Sequence, residues 1–169
     1  MKDVKVKDSA LRKAAECADM DVFVGVFIDA IKEAIGGELN AENMGELNAD
    51  QITLLAWDIL HTEVMDGGVV QLIHNGYGEF IWMNPTDKAF RNWGLQDLYR
   101  WINKSHRLYV HSHEDIERDC DDDEFMALFE KYPEFDDYDD MFVEMEEHWA
   151  NQIAQYLDEH IEDFAVIEE

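Results

Sequence analysis

The residues of this chain that could do chemistry are carboxylates, and they cluster in two runs. The denser run places seven side-chain carboxylates within residues 136–147. If that segment is a helix, its axis carries one charge per about 2.6 Å, against one per about 1.7 Å along duplex DNA. Such a surface can engage the lysine and arginine side chains that normally hold phosphates. We therefore predict that a basic partner binds Asp119, Asp121, Asp122, Asp123, Glu124, Asp136, Asp137, Asp139, Asp140, Glu144 and Glu147.

Calcium binding is the second chemistry that these carboxylates suggest. Asp119, Asp121 and Asp123 have the spacing of the first three ligands in an EF-hand loop, with Glu130 at the twelfth position. The sixth position, which needs glycine for a sharp turn, is Glu124, and the residues after it have the pattern of an amphipathic helix. A calcium loop is therefore disfavoured, while a divalent-cation-binding helical protein remains an alternative.

No residue pattern argues for catalysis. The sequence contains no P-loop, no dinucleotide-binding glycine pattern and no nucleophile elbow. His106, His111 and His113 lack the spacing of zinc ligands. His61 and Glu63 are two residues apart, so in a helix they point to different sides. We predict a protein that is not an enzyme and that uses no cofactor and no metal.

The net charge is strongly negative and unevenly distributed. Forty acidic and 13 basic residues give a net charge of −27. Residues 1–60 carry −6, residues 61–110 are neutral, and residues 111–169 hold 23 acidic but 2 basic residues. This field repels nucleic acids and anionic membranes, so neither is expected as a direct partner. A surface that serves solubility usually mixes both signs, and solubility remains the simpler alternative.

The remaining composition indicates a folded protein of the cytoplasm. Apolar residues make up 47% of the 169 residues, including 5 Trp and 9 Phe, which suffices for the core of one domain. Cys17 and Cys120 form neither a disulfide framework nor a zinc ligand set, which favours a reducing compartment. The N-terminus lacks the apolar core of a signal peptide, and no apolar run approaches the roughly 20 residues of a membrane span.

The elements that must position the carboxylates are helices. Apolar residues recur at helical spacing between glycines and prolines, so we predict an all-α fold, a single irregular multi-helix domain over residues 1–169 without strands. Asn48 and Gln51 have the spacing of a capping box. The expected helices cover residues 9–19, 21–35, 49–65, 69–73, 95–113 and 121–132, with a further helix starting near Pro85 and a long C-terminal helix over residues 136–167.

The long C-terminal helix is the element that would present the denser run. Residues 136–167 would extend over about 45 Å at the helical rise. Their apolar positions, Met141 included, fall on one face and their carboxylates on the other. Tyr132, Phe135 and Tyr138 lie near the acidic runs in sequence and would add apolar contacts to a partner.

The segment that begins at Glu63 resembles a family signature. It is similar to the E-x-x-N-G-G-F-x-Q signature in the C-terminal domain of a bacterial DNA-mimic protein family, with Asp66 and Val69 as departures. We interpret the matching residues as structural, because the glycines allow a tight turn between helices and the two amides can hydrogen-bond backbone exposed there. The matching residues are Glu63, Gly67, Gly68, Gln71 and Asn75.

The resemblance extends over about residues 50–165, with residues 1–49 expected to form helices packed on that region. It implies an all-helical domain, often a homodimer, whose named members mimic DNA and sequester a helix-turn-helix transcription regulator. We therefore expect an acidic DNA-mimic-like protein that binds the basic surface of a DNA-binding protein such as a transcription regulator. An immunity or inhibitor protein for a basic nuclease toxin remains the alternative.

Overall fold

The computed structural model describes residues 3–169, and this part of the chain is mostly helical. The all-α class is thereby confirmed. None of the described helices combines the length and the apolar character that crossing a membrane requires. The helices are α1 (Asp8–Cys17), α2 (Met20–Ala34), α3 (Ala49–His74), α4 (Gly78–Trp82), α5 (Thr86–Asn92), α6 (Gln96–Glu117), α7 (Asp122–Lys131), α8 (Glu134–Glu159) and α9 (Ile161–Phe164), with a 3-10 turn at Met44–Glu46 and the strands β1 (Lys5–Lys7) and β2 (Val166–Glu168).

The described chain divides into two compact units. One contains the residues up to Leu55 together with His148–Glu169, and the other contains Ala56–Glu147. We call them the terminal unit and the central unit. All eleven candidate carboxylates lie in the central unit. The single domain over residues 1–169, with residues 1–49 packed on the rest, stays a prediction.

The terminal unit contains the one feature that contradicts the expectation of no strands. β1 and β2 pair in parallel, with Lys5 opposite Val166, and the Val166 N–H donates to the Val4 carbonyl at 2.8 Å. Val4 and Val6 are buried behind this pairing. Three residues are too few to establish the alternation by which a strand is recognised. The partner strand also comes from the opposite end of the chain, which no local pattern can reveal.

The start of α3 in the terminal unit is held by the predicted capping box, which is confirmed. The Gln51 N–H donates to Asn48 Oδ1 at 2.8 Å, and the Asn48 N–H donates to Gln51 Oε1 at 3.0 Å. The amide nitrogens of the same two side chains donate to the carbonyls of Asp163 at 2.7 Å and Phe164 at 2.9 Å. Both caps therefore also hold the end of α9.

The core of the central unit is built around aromatic side chains that fix the orientation of α8. Trp101 is fully buried, and its indole N–H donates to the Tyr138 carbonyl at 2.9 Å. Its ring lies 5.4 Å from that of Phe142, which in turn lies 5.9 Å from that of Trp57. Because Phe142 faces this cluster, the opposite side of α8 faces solvent.

The prediction of the C-terminal helix was wrong in two details. The helix ends earlier than predicted, and fewer of its apolar residues are buried. α8 ends at Glu159, and the chain turns at His160 before α9 and the extended Ala165. The last predicted helical residues instead form β2, because pairing with β1 supplies their backbone hydrogen bonds. Met141, expected to face inward, is 51% exposed. The buried face of the helix is therefore narrower than the apolar stripe in the sequence.

Replacing Asn48 with alanine should lower the free energy of unfolding by about 1–2 kcal/mol, because it removes an N-cap together with the bond to the Asp163 carbonyl. Urea denaturation followed by circular dichroism measures this change. Asn151→Ala, at an exposed position within α8, is the matched control and should change stability by less than about 0.5 kcal/mol. Equal losses from both substitutions would contradict the capping role.

Candidate protein-binding surface

The exposed side of α8 carries four of the candidate carboxylates in one row. Asp136, Asp140, Glu144 and Glu147 follow one another at spacings of four, four and three residues, and all four are exposed. Residues at these spacings share one face of a helix. We call this row the acidic stripe. Asp137, also exposed, lies beside its first member.

Helix stability alone does not account for the acidic stripe. Asp136 lies in the first turn of α8, where a negative charge interacts favourably with the helix dipole. Asp140 and Glu144 lie beyond that turn, and each faces a like charge four residues before it. Each such pair costs an isolated helix about 0.2–0.5 kcal/mol. Asp140 and Glu144 thus oppose helix formation, which favours a role outside the fold.

The acidic stripe forms no ion pair among the described residues, and the two bases that follow position 111 in the sequence are engaged by another carboxylate. Arg118 and Lys131 are the two basic residues between positions 111 and 169, and both form ion pairs with Asp115. The Lys131 Nζ lies 2.6 Å from Asp115 Oδ2, and the Tyr132 hydroxyl donates to the same oxygen at 2.6 Å. The hydrogen bond from Lys131, followed by that from Tyr132, lowers the pKa of Asp115 to about 2. One carboxylate therefore collects both cations.

The second acidic run lies at the start of α7. Asp121 is the N-cap of this helix, and its Oδ1 accepts a hydrogen bond from the Glu124 N–H at 2.8 Å. Asp122, Asp123 and Glu124 fill the first turn, where they favour the helix, and with Asp119 they are exposed. Because residues 122–131 are helical, they do not form the calcium loop that the spacing suggested.

Asp139 differs from the other ten candidates because its carboxylate binds the backbone of another helix. It is partly buried, and its Oδ1 accepts a hydrogen bond from the Val69 N–H at 2.8 Å. α3 is interrupted at Gly68, which has a φ of 82° and a ψ of −179°, and Val69 begins the segment after this kink. Asp139 thus caps that segment from another helix. Its role in binding a partner stays a prediction.

The environment of Asp139 disfavours its charged form. Burial raises the pKa of Asp139 to about 6, the Val69 hydrogen bond opposes this shift, and the negative charges of Asp136 and Asp140 reinforce it. A β-carbon at Gly68 would lie 2.5 Å from Asp139 Oδ2. Glycine is therefore required there both by the positive φ and by the closeness of the capping carboxylate.

The residues that resemble the family signature form one hydrogen-bonded network around the kink. Gln71 Nε2 donates to Glu63 Oε2 at 2.8 Å and to Asp66 Oδ2 at 2.9 Å, and Asn75 Nδ2 donates to Glu63 Oε2 at 3.0 Å. Both amides were expected to bond exposed backbone, and this detail was wrong because carboxylates on the preceding helical segment accept instead. At Gly67, a β-carbon would collide with Gln71 Oε1.

The apolar side chains that α8 exposes beside the acidic runs are not the aromatic ones that were expected to contact a partner. Phe135 is fully buried and is not available to a partner, because its side chain belongs to the core. The Tyr132 hydroxyl is bound to Asp115, and Tyr138 is partly buried. The exposed apolar side chains of α8 are instead Met141, at 51%, and Val143, at 57%. Val143 falls within the acidic stripe by the helical repeat, although no pattern in the sequence singled it out.

Two of the histidines considered for metal or acid/base chemistry lie against carboxylates. His61 Nε2 lies 2.7 Å from Glu146 Oε1, which explains why Glu146 does not join the acidic stripe. Glu63 binds the amides at the kink, so His61 and Glu63 point apart as predicted. His113 Nδ1 lies 3.2 Å from Glu117 Oε2 on the same helix. Among the described residues, His106, His111 and His113 form no common cluster.

Comparison with known proteins supplies an independent finding. The family model for DMP19-like protein matches residues 45–160. DNA mimic protein DMP19 of Neisseria meningitidis serogroup B (strain ATCC BAA-335 / MC58) is 33% identical over 127 residues, which is 75% of this chain and 77% of that protein. The matched region includes the kink in α3, both acidic runs and the whole of α8.

Replacing Asp139 with alanine should destabilise the protein by about 1–2 kcal/mol, because the Val69 N–H loses its acceptor. Asp139→Asn retains an acceptor oxygen and should cost less at neutral pH. Asp140→Ala, one residue away and exposed, is the matched control and should leave stability unchanged or slightly raised. Urea denaturation distinguishes the three variants, and a loss from Asp140→Ala as large as that from Asp139→Ala would remove the capping role.

The raised pKa of Asp139 also predicts a pH dependence. The folded state holds the proton more tightly than the unfolded state, in which an aspartate has its ordinary pKa of 3.8. The part of the Asp139 contribution to stability that depends on its proton should therefore be fully present below about pH 4 and should be lost as the pH rises through about 6. The free energy of unfolding is measured for the wild type and for Asp139→Asn between these pH values. The difference between the two proteins gives the contribution of the Asp139 carboxyl group at each pH. A difference that is flat, or that grows with rising pH, would contradict the assignment.

Proposed function

The chain belongs to the DMP19-like protein family, and on this premise we propose that it is a DNA mimic that binds the basic surface of a DNA-binding protein such as a transcription regulator. The name of the Neisseria relative supports the mimicry. The structural observation that carries the proposal is the acidic stripe, which is exposed and forms no ion pair with any described residue. The protein would act by binding rather than by catalysis, in the cytoplasm where its partner meets DNA.

The charge spacing on α8 supports mimicry of one DNA strand. Asp139 caps the kink and Glu146 pairs with His61, so five carboxylates of the denser run remain exposed. Five charges over 12 residues correspond to one per about 3.6 Å of helix axis, close to the 3.4 Å per phosphate along a single strand of the duplex. Lysine and arginine side chains spaced to meet phosphates would therefore find carboxylates at a similar average density here, with individual axial gaps of about 1.5 to 6 Å.

The wider charge distribution supports fast and selective association with a cation-rich surface. Residues 111–169 hold 23 acidic and 2 basic residues, and both bases are engaged by Asp115. A field of this size steers a basic partner into contact, and the association should weaken steeply as salt rises. The same field disfavours direct binding to nucleic acid. The homodimer that the resemblance implies stays a prediction.

The proposal is tested first by capture from the lysate of the native host, at low and at near-physiological salt. We expect a DNA-binding protein that survives the higher salt and is released by duplex DNA. A broad set of basic proteins that disappears as salt rises would indicate ion exchange and would return the acidity to a matter of solubility.

Neutralising the acidic stripe should then weaken binding of the captured protein by at least about tenfold, because four charge pairs each contribute a fraction of a kcal/mol or more. The variant is D136N/D140N/E144Q/E147Q, measured by titration at near-physiological salt. Its matched control is E16Q/D29N/E33Q/E42Q, which makes the same charge change at exposed positions of the terminal unit. Equal weakening by both variants would show that only net charge matters and would contradict a specific surface.

A further inference from the structure

The exposed side of α6 carries basic side chains in a row, in contrast to the rest of the central unit. Arg100, Lys104, Arg107 and His111 follow one another at spacings of four, three and four residues, and all are exposed. These spacings place them on one face of the helix. Between Asp97 and Glu114 the helix contains no carboxylate. We call this row the basic stripe.

Two members of the basic stripe have no partner within the described part of the chain. Arg100 Nη1 lies 3.2 Å from Asp97 Oδ1. Lys104 and Arg107 form no ion pair with any described residue, although the chain holds 40 acidic residues. Arg118 and Lys131, by comparison, are both engaged by Asp115. Lys104 and Arg107 are therefore available to a ligand.

These cations line a groove between α6 and the first turns of α8. The groove has a volume of about 1050 Å³, and its lining includes Lys104, Arg107, Val110, His111, Glu134 and Tyr138. Val110 is 55% exposed and gives the groove an apolar wall. Glu134 is the one carboxylate that lines it within the described residues. The groove is thus positively charged, partly apolar and open to solvent.

The groove is continuous with the surface proposed to bind a partner. Glu134 and Tyr138 line the groove and belong to the same helix as the acidic stripe. Each is two residues from a member of the stripe, which is about 3 Å along the helix axis. At 100° per residue around α8, the groove residues are followed by the exposed Met141 and then by the acidic stripe. One partner resting on α8 would therefore contact negative, apolar and positive side chains in succession.

We propose that this groove receives an acidic segment of the partner, so that the partner must carry carboxylates beside its basic surface. The inference rests on the proposed function and identifies the chemistry of the partner more closely. An acidic stripe alone attracts any basic protein, because long-range attraction discriminates poorly between partners of similar charge. Cations beside the stripe repel a partner that is basic throughout and pair with one that carries carboxylates at that position. Such a combination of attraction and repulsion is how charged interfaces gain specificity.

The test uses two synthetic peptides of equal length, labelled for fluorescence anisotropy at near-physiological salt. The first contains lysine, arginine and alanine throughout, and the second replaces the lysines at one end with glutamate. A second version of the mixed peptide carries the glutamates at the other end, to allow for direction. We expect the wild type to bind one mixed peptide about three- to tenfold more tightly than the basic peptide, as two or three added charge pairs would give. Attraction by net charge alone predicts the opposite order.

Reversing the groove cations should reverse this preference. K104E/R107E makes the protein more acidic, so the fully basic peptide should bind it more tightly while the mixed peptide loses its advantage. K13E/K88E is the matched control, with the same charge change at exposed lysines outside the groove, and it should retain the wild-type order. Circular dichroism checks that each variant is folded.

Three results would overturn the inference. The wild type could prefer the fully basic peptide, or K104E/R107E could rank the peptides as the wild type does. K104E/R107E could also abolish self-association in sedimentation without altering the ranking, which would assign the groove to a second copy of this chain. The proposed function stands in each of these cases if both peptides still bind the wild type and if the D136N/D140N/E144Q/E147Q variant binds them less tightly. If neither peptide binds the wild type even at low salt, the proposed function and the inference fail together.

Discussion

The hydrogen bond from the Val69 N–H to Asp139 is the interaction on which the binding surface depends. A helix that restarts after a kink leaves its first N–H groups without partners, and Asp139 supplies one acceptor from α8. The cost is a partly buried carboxylate beside Asp136 and Asp140. Because Asp139 points to the kink and Phe142 points to the core, the rotation of α8 is fixed. The acidic stripe then faces solvent as a consequence of packing.

The carboxylates of the central unit therefore fall into two groups, those that bind other groups of the fold and those that do not. Some stabilise the fold: Asp121 caps α7, Asp139 caps the segment after the kink, and Asp115 binds Arg118 and Lys131. Others, such as Glu144, oppose the helix that carries them and make no compensating ion pair among the described residues. The buried aromatic cluster around Trp101 gives α8 enough stability to tolerate them. Charge that weakens its own helix is the strongest physical argument that the surface serves a partner.

A DNA mimic made of protein differs from DNA in ways that matter for selectivity. Duplex DNA presents phosphates of one sign, whereas α8 adds Val143 and Met141 to its carboxylates. The unpaired Lys104 and Arg107 lie across a groove from the same helix. A partner bound in the proposed way would meet the charge pattern that it recognises on DNA together with contacts that DNA lacks. Side chains of this kind would allow one acidic protein to select among many basic ones.

The sequence by itself determined the helices other than the short α4 and α9, the capping box at Asn48 and Gln51, and the excess of acidic residues, because periodicity, capping and charge are local properties. It also carried the family resemblance around Glu63. Only the tertiary structure decided which carboxylates are free: Asp139 and Asp137 look alike in sequence, but only Asp139 lies against the kink in α3. The pairing of β1 with β2, the capture of both late cations by Asp115 and the groove beside α6 were equally hidden. Each joins residues distant in sequence, and a local pattern contains no information about which of them will meet.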